Sequence, residues 1–123
     1  MNEQNLKVLV VEDDEASYQL INASLKLLDI NLLRAKNGQE ALQIYDQNID
    51  LKLVLLDIQL PGMDGYEVLI ELKKRKPDLP IVAQTAYSMI DDREKCIEAG
   101  CNEYLSKPLN LQKLRDMVKK YLE

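Results

Sequence analysis

The side chains able to do chemistry stand at the ends of apolar runs. Glu12, Asp13 and Asp14 follow "KVLVV" (Lys7–Val11), and Asp57 closes "LVLLD" (Leu53–Asp57). Gln84 and Thr85 come at the end of "PIVAQ" (Pro80–Gln84), and Tyr104 and Lys107 stand in "YLSKP" (Tyr104–Pro108). Carboxylates gathered together repel, at ~4 Å and an effective dielectric of ~20 by about 4 kcal/mol per pair. Glu12, Asp13 and Asp57 can relieve this by protonating, by splaying apart or by holding a cation. Hard oxygen ligands favour Mg²⁺ or Mn²⁺, and Lys107 adds a mobile ammonium suited to phosphate. Singly, each group has a plainer use. Asp14 is a helix N-cap, Asp57 a turn former, Thr85 a strand-end hydroxyl and Lys107 a solvated lysine. Only their joint arrival at one place makes a site.

Composition narrows that chemistry further. The 123 residues are 46% hydrophobic and 30% charged, which suits one globular domain with a core of its own. A net charge of −5 argues against direct nucleic-acid binding. Histidine, phenylalanine and tryptophan are absent, which excludes His-based nucleophilic catalysis, His-ligated zinc and a phosphohistidine of the chain's own. Cys96 and Cys101 lack a C-x-x-C spacing and read as packing residues. No apolar run is long enough for a membrane span and Met1–Asn5 is polar, so a cytoplasmic protein without membrane insertion is expected.

The elements that must position these groups alternate along the chain. Lys7–Val11, Leu53–Asp57 and Pro80–Gln84 read as strands, with weaker candidates at Asn31–Ala35 and Asn102–Leu105. The strong ones are apolar on consecutive residues, as in strands covered on both faces of a parallel sheet. Between them run helical spacings. Ala16, Leu20, Ala23 and Leu27 mark a first helix face, and Ala41, Leu42 and Tyr45 a second behind an Asn37 N-cap. Val68, Leu69 and Leu72 mark a third, which should stop before Lys76-Pro77. The thin stripe of Met89, Cys96 and Ile97 predicts a lightly buried fourth helix ending at Gly100. Leu114, Met117, Val118, Tyr121 and Leu122 form the clearest stripe, on the last helix. Five strands and five helices in alternation specify an α/β sandwich with right-handed crossovers. Such sheets bind ligands at the carboxyl ends of their strands, where the acids, Thr85 and Lys107 fall.

The motifs "VLVVEDDE", "LVLLDIQLPGMDGYEV", "IVAQTA" and "EAGCNEYLSKPL", in that order, resemble the receiver domain of two-component response regulators, over Leu6 to Leu122. The resemblance implies a flavodoxin-like doubly wound five-stranded parallel sheet of order 2-1-3-4-5, with five helices in two layers. It implies that Asp57 accepts a phosphoryl group from the phosphohistidine of a sensor histidine kinase or histidine phosphotransfer protein. Glu12, Asp13, Asp57 and the Gln59 backbone carbonyl would hold Mg²⁺ (Mn²⁺ possible). Lys107 and Thr85 would contact the phosphoryl oxygens, and Thr85 and Tyr104 would switch the face formed by the fourth helix, fifth strand and fifth helix. Lys107-Pro108 matches a peptide bond usually cis in the family, while Gln59 and Tyr87 match positions that tune the phosphoryl lifetime.

On this reading the chain is a signalling switch rather than a turnover enzyme, passing its state to a downstream effector and losing its phosphate to water. It is expected to be a stand-alone regulator or a receiver from a larger protein. Two features depart from the usual pattern: Glu12 replaces the commoner aspartate, and Gln84 replaces an apolar residue before Thr85. An aspartyl-phosphate phosphatase is disfavoured by the lack of a D-x-D motif, and a nucleotide-binding domain by the lack of G-x-G-x-x-G. Retention of Glu12, Asp13, Asp57, Thr85 and Lys107 argues against signalling without phosphorylation.

Overall fold

The computed structural model describes residues 6–85 and 90–122, with side chains from residue 93 onward in the second segment. Strands β1 (Lys7–Val11), β2 (Asn31–Ala35), β3 (Leu53–Asp57), β4 (Ile81–Thr85) and β5 (Glu103–Ser106) alternate with five helices. These are α1 (Glu15–Leu25), α2 (Gly38–Gln47), α3 (Gly65–Arg75), α4 (Ile90–Ala99) and α5 (Leu111–Leu122). The sheet runs β2-β1-β3-β4-β5 with every neighbouring pair parallel, the doubly wound order implied by the resemblance.

Alternation along the strands divides the core in two. Leu9, Val11, Val54, Leu56, Ile81 and Ala83 face α2, α3 and Cys96 of α4. Val8, Val10, Leu53, Leu55, Val82 and Leu105 pack with Ile21 and Leu25 of α1 and with Leu114 and Val118 of α5. All five residues of β3 and of β4 are buried, which explains their unbroken apolar runs. Fully burying one such side chain contributes about 1.5–3 kcal/mol, so a slipped register would be costly. The register therefore fixes which side of the sheet receives Asp57.

The helix starts are set by local chemistry. Asp14 Oδ2 accepts from the Ser17 N–H at 2.8 Å, Asn37 Oδ1 from Glu40 at 2.9 Å, and Asp64 Oδ1 from Tyr66 at 2.9 Å. Helix α3 stops at Arg75, with Lys76 extended ahead of Pro77. Helix α4 ends on Gly100 at φ +112°, and the Cys101 N–H reaches back to the Cys96 carbonyl at 3.0 Å. Within residues 93–99 only Cys96 is buried, in keeping with the thin stripe, while Met89 lies outside the described residues.

One expectation is overturned. The row Ala16, Leu20, Ala23 and Leu27 does not face the core: Leu20 is 58% and Leu27 74% exposed, and both alanines are exposed. The buried row is Ile21, Ser24 and Leu25, supported by Tyr18 and Leu28, and the helix ends before Leu27. Both rows satisfy a 3.6-residue period. Contact with α5 and the sheet selects between them. No helix among the described residues is long and apolar enough to cross a membrane.

Candidate functional site

Strand order reverses about β1, and the carboxyl ends of β1 and β3 open there side by side. Val11 pairs with Leu56, so Glu12 and Asp57, each one residue further on, emerge as neighbours. Both are buried, Glu12 at 0% and Asp57 at 2% exposure, whereas Asp13 is exposed. Their carboxylates and that of Asp13 offer oxygen atoms within 4.8 Å of one another. At that spacing and an effective dielectric of ~20, two charges repel by about 3.5 kcal/mol.

The surrounding contacts temper this repulsion. Asp57 Oδ2 accepts from Lys107 Nζ at 2.8 Å, and Oδ1 accepts from the Gln59 backbone N–H at 2.9 Å. Lys107 Nζ also stands 3.7 Å from Glu12 Oε1. Its own backbone N–H donates to the Thr85 carbonyl at 2.8 Å, which carries β5 up to the site beside β4. The Lys107-Pro108 peptide is cis, as the resemblance implied. Burial works against the Lys107 ammonium, yet the hydrogen bond and charge of Asp57, then Glu12 and Asp13, hold its pKa above the ordinary lysine value.

Glu12 sits in an unfavourable place for a charged carboxylate. Burial, and then the charge of Asp57, push its pKa up to about 7, against the Asp14 N–H and Lys107, which pull the other way. Its Oε2 accepts from Asp14 N–H at 3.2 Å, but the buried Oε1 has no hydrogen-bond partner. A buried carboxylate oxygen without a hydrogen bond, beside two further carboxylates, fits an all-oxygen divalent cation site. Its main chain is held by the Ala35 carbonyl at 2.9 Å and by Arg34, whose Nε and Nη2 donate to the Glu12 carbonyl at 3.3 and 3.2 Å. Sequence reading missed Arg34. The one signal is an arginine standing among apolar residues on a half-buried strand.

The remaining expected residues fall at the same edge. Thr85 is buried at the last position of β4, and Tyr104 is half-buried on β5 against the α2–α4 side of the core. Tyr104 pairs with Ala83 and Ser106 with Thr85, so the hydroxyl and the ring belong to adjoining strands. Gln59 is placed by its N–H on Asp57. Tyr87 lies outside the described residues. Gly65, which turns the chain from the Asp57 loop into α3, sits so close to Ile58 that an added Cβ would meet the Ile58 carbonyl oxygen at 2.4 Å. Its importance is not visible in the sequence beyond the Asp64-Gly65 turn signal.

The strand order defines a doubly wound α/β domain with an acid–lysine group at its carboxyl edge. Residues 8–119 match the response regulator receiver domain family, and the chain belongs to it. It is 34% identical over 117 residues to the polar-differentiation response regulator DivK of Brucella anthropi, covering 94% of each chain. A response regulator receiver domain protein from Methanospirillum hungatei superposes with a TM-score of 0.87 at 28% identity, over 97% of this chain and 94% of that one. The receiver domain of Saccharomyces cerevisiae Ssk1, solved with the histidine phosphotransfer protein Ypd1, superposes at 0.85 and is 32% identical. That match covers 95% of this chain and 88% of the other. The chain spans 49% or less of the length of the curated relatives it matches first.

Proposed function

We propose that the chain is a phosphorylation-dependent signalling switch in which Asp57 accepts a phosphoryl group from a partner's phosphohistidine. The observation that carries this is the buried Asp57 carboxylate, joined to the Lys107 ammonium at 2.8 Å and set beside two more acids. A carboxylate attacks without a base, so the missing histidines are no obstacle. One Asp57 oxygen forms a bond to phosphorus as the phosphorus–nitrogen bond of the donor breaks, and the imidazole leaves with that electron pair. Lys107 and Thr85 meet the phosphoryl oxygens. Glu12, Asp13, Asp57 and the Gln59 carbonyl are the groups that would hold Mg²⁺, which supplies charge neutralisation when bound. Water attack on phosphorus then releases inorganic phosphate and restores Asp57, so the signal limits itself.

In this reading the donor is a sensor histidine kinase or histidine phosphotransfer protein. The likeness to a receiver solved with such a transfer protein supports that partner class. The output is a docking event on a downstream effector, which makes the chain a switch and not a turnover enzyme; the cytoplasmic location expected from the sequence goes with it. The added charge draws Thr85 towards the phosphoryl group and lets Tyr104 move inwards, reshaping the face of α4, β5 and α5.

The direct test is incubation with Mg²⁺ and acetyl phosphate followed by mass spectrometry. One labile phosphoryl adduct is expected on the wild-type chain and none on Asp57→Ala. An adduct that survives Asp57→Ala, or none from either acetyl phosphate or a phosphorylated histidine protein, overturns the assignment.

A further inference from the structure

Gln84 is a second buried polar anomaly beside Glu12. It is 2% exposed, and neither its Oε1 nor its Nε2 has a hydrogen-bond partner. The residue is the register partner of Asp57 and follows Val82 by two, so it stands on the α1–α5 side of the sheet. There it lines, with Glu12, Ser17, Leu20, Lys107 and Leu111, a cavity of about 180 Å³. A leucine or methionine would fill the position without burying a donor and an acceptor. A carboxamide in such a place calls for an interaction that the apolar residue could not make.

We infer that Gln84 is a positioning residue for the divalent cation, acting through Glu12. The inference rests on the cation-holding reading above. The oxygens of Asp57 are each already met, by Gln59 and by Lys107, and Glu12 Oε2 is met by Asp14. Glu12 Oε1 makes no hydrogen bond, with the Lys107 ammonium 3.7 Å away, and Glu12 lines the same cavity as Gln84. With the cation bound, Gln84 Nε2 donates to Glu12 Oε1 through a water, for which a cavity of this size has room. That bond fixes the glutamate rotamer and leaves its remaining lone pairs to the ion. Glutamate is longer than aspartate and has one more rotor to lose, so a hydrogen bond that holds it in place matters more here. Groups that orient a metal ligand in this way change affinity by about 10–100-fold when removed.

The test compares Mn²⁺ binding by electron paramagnetic resonance, and Mg²⁺ binding by calorimetry, in the wild-type chain and in Gln84→Met. Thermal unfolding without cation is measured alongside. We expect the variant to unfold at the wild-type temperature or above, since it loses an unpaired buried amide, yet to bind either cation at least ~10-fold more weakly. In a Glu12→Ala background the same change should have no further effect, because the amide has lost its acceptor. If Gln84→Met does not fold, Gln84→Leu provides the comparison. Equal affinity in the wild type and the variant, or an undiminished loss in the Glu12→Ala background, overturns the inference alone. A wild-type chain that binds neither cation overturns the cation-holding reading as well.

Discussion

Tyr121 fastens α5 to β5 through its hydroxyl, which donates to Glu103 Oε2 at 2.8 Å while Lys120 Nζ meets the same oxygen at 3.0 Å. Burial, then the hydrogen bond and charge of Glu103, push the phenol up to about 12, and Tyr121 and Lys120 hold Glu103 below the usual carboxylate range. Between the ordinary tyrosine value of 10 and about 12, the folded chain keeps a proton that the unfolded chain has released. Stability contributed by this group therefore falls as pH rises through that window. Glu103 works in the opposite sense, its contribution being lost as pH falls below the carboxylate range. Tyr121→Phe should cost only about 0.5–1 kcal/mol at neutral pH, because the group is partly exposed. It should also flatten the alkaline decline, which urea midpoints at neutral and alkaline pH would reveal; an unchanged decline would count against the pairing. At this scale the sequence named Glu12, Asp13, Asp57 and Lys107, whose types and strand-end positions carry their own signal. It gave Gln84 only as a departure and Arg34 not at all, since what matters in both is the neighbour across the fold.

Helix α1 shows why an element's face is harder to read than its existence. Its length, its Asp14 cap and its apolar spacing are all local, and they make a helix wherever the chain goes next. Two rows of apolar residues run along it, however, one through Leu20 and one through Ile21 and Leu25. Choosing between them takes knowledge of α5 and of the side of the sheet on which α1 lies. Replacement separates the two experimentally. Leu25→Ala, at 1% exposure, should cost about 2–5 kcal/mol, while Leu27→Ser, at 74% exposure, should stay within about 0.5 kcal/mol. Comparable losses from chemical denaturation of both variants would mean that Leu27 is packed. Helices α2 and α3 were legible because each presents one apolar row, and α5 because its stripe is the strongest in the chain.

For the whole molecule, the division into two half-cores puts the proposed switch at one end of the sheet. Strands β1 and β3 are pinned between two helical layers, whereas β5 is an edge strand and the described part of α4 buries only Cys96. Lightly packed elements open most readily. Binding of beryllium fluoride with Mg²⁺, as a phosphoryl mimic, should therefore alter amide hydrogen exchange over residues 90–106 and leave β1 and β3 as they were. Exchange that is the same with and without the mimic would sink the proposed movement of Thr85 and Tyr104. The sequence by itself determined the order of strands and helices, the caps that start α1 and α2, and which acids end the strands. All of these follow from spacing and side-chain type over a few residues. Only the tertiary structure decided which face of α1 is buried, that Arg34 anchors Glu12, and that Gln84, whose amide makes no hydrogen bond, shares a cavity with Glu12. Each of those depends on which distant segment the register brings alongside, and register is set by the packing of the whole core.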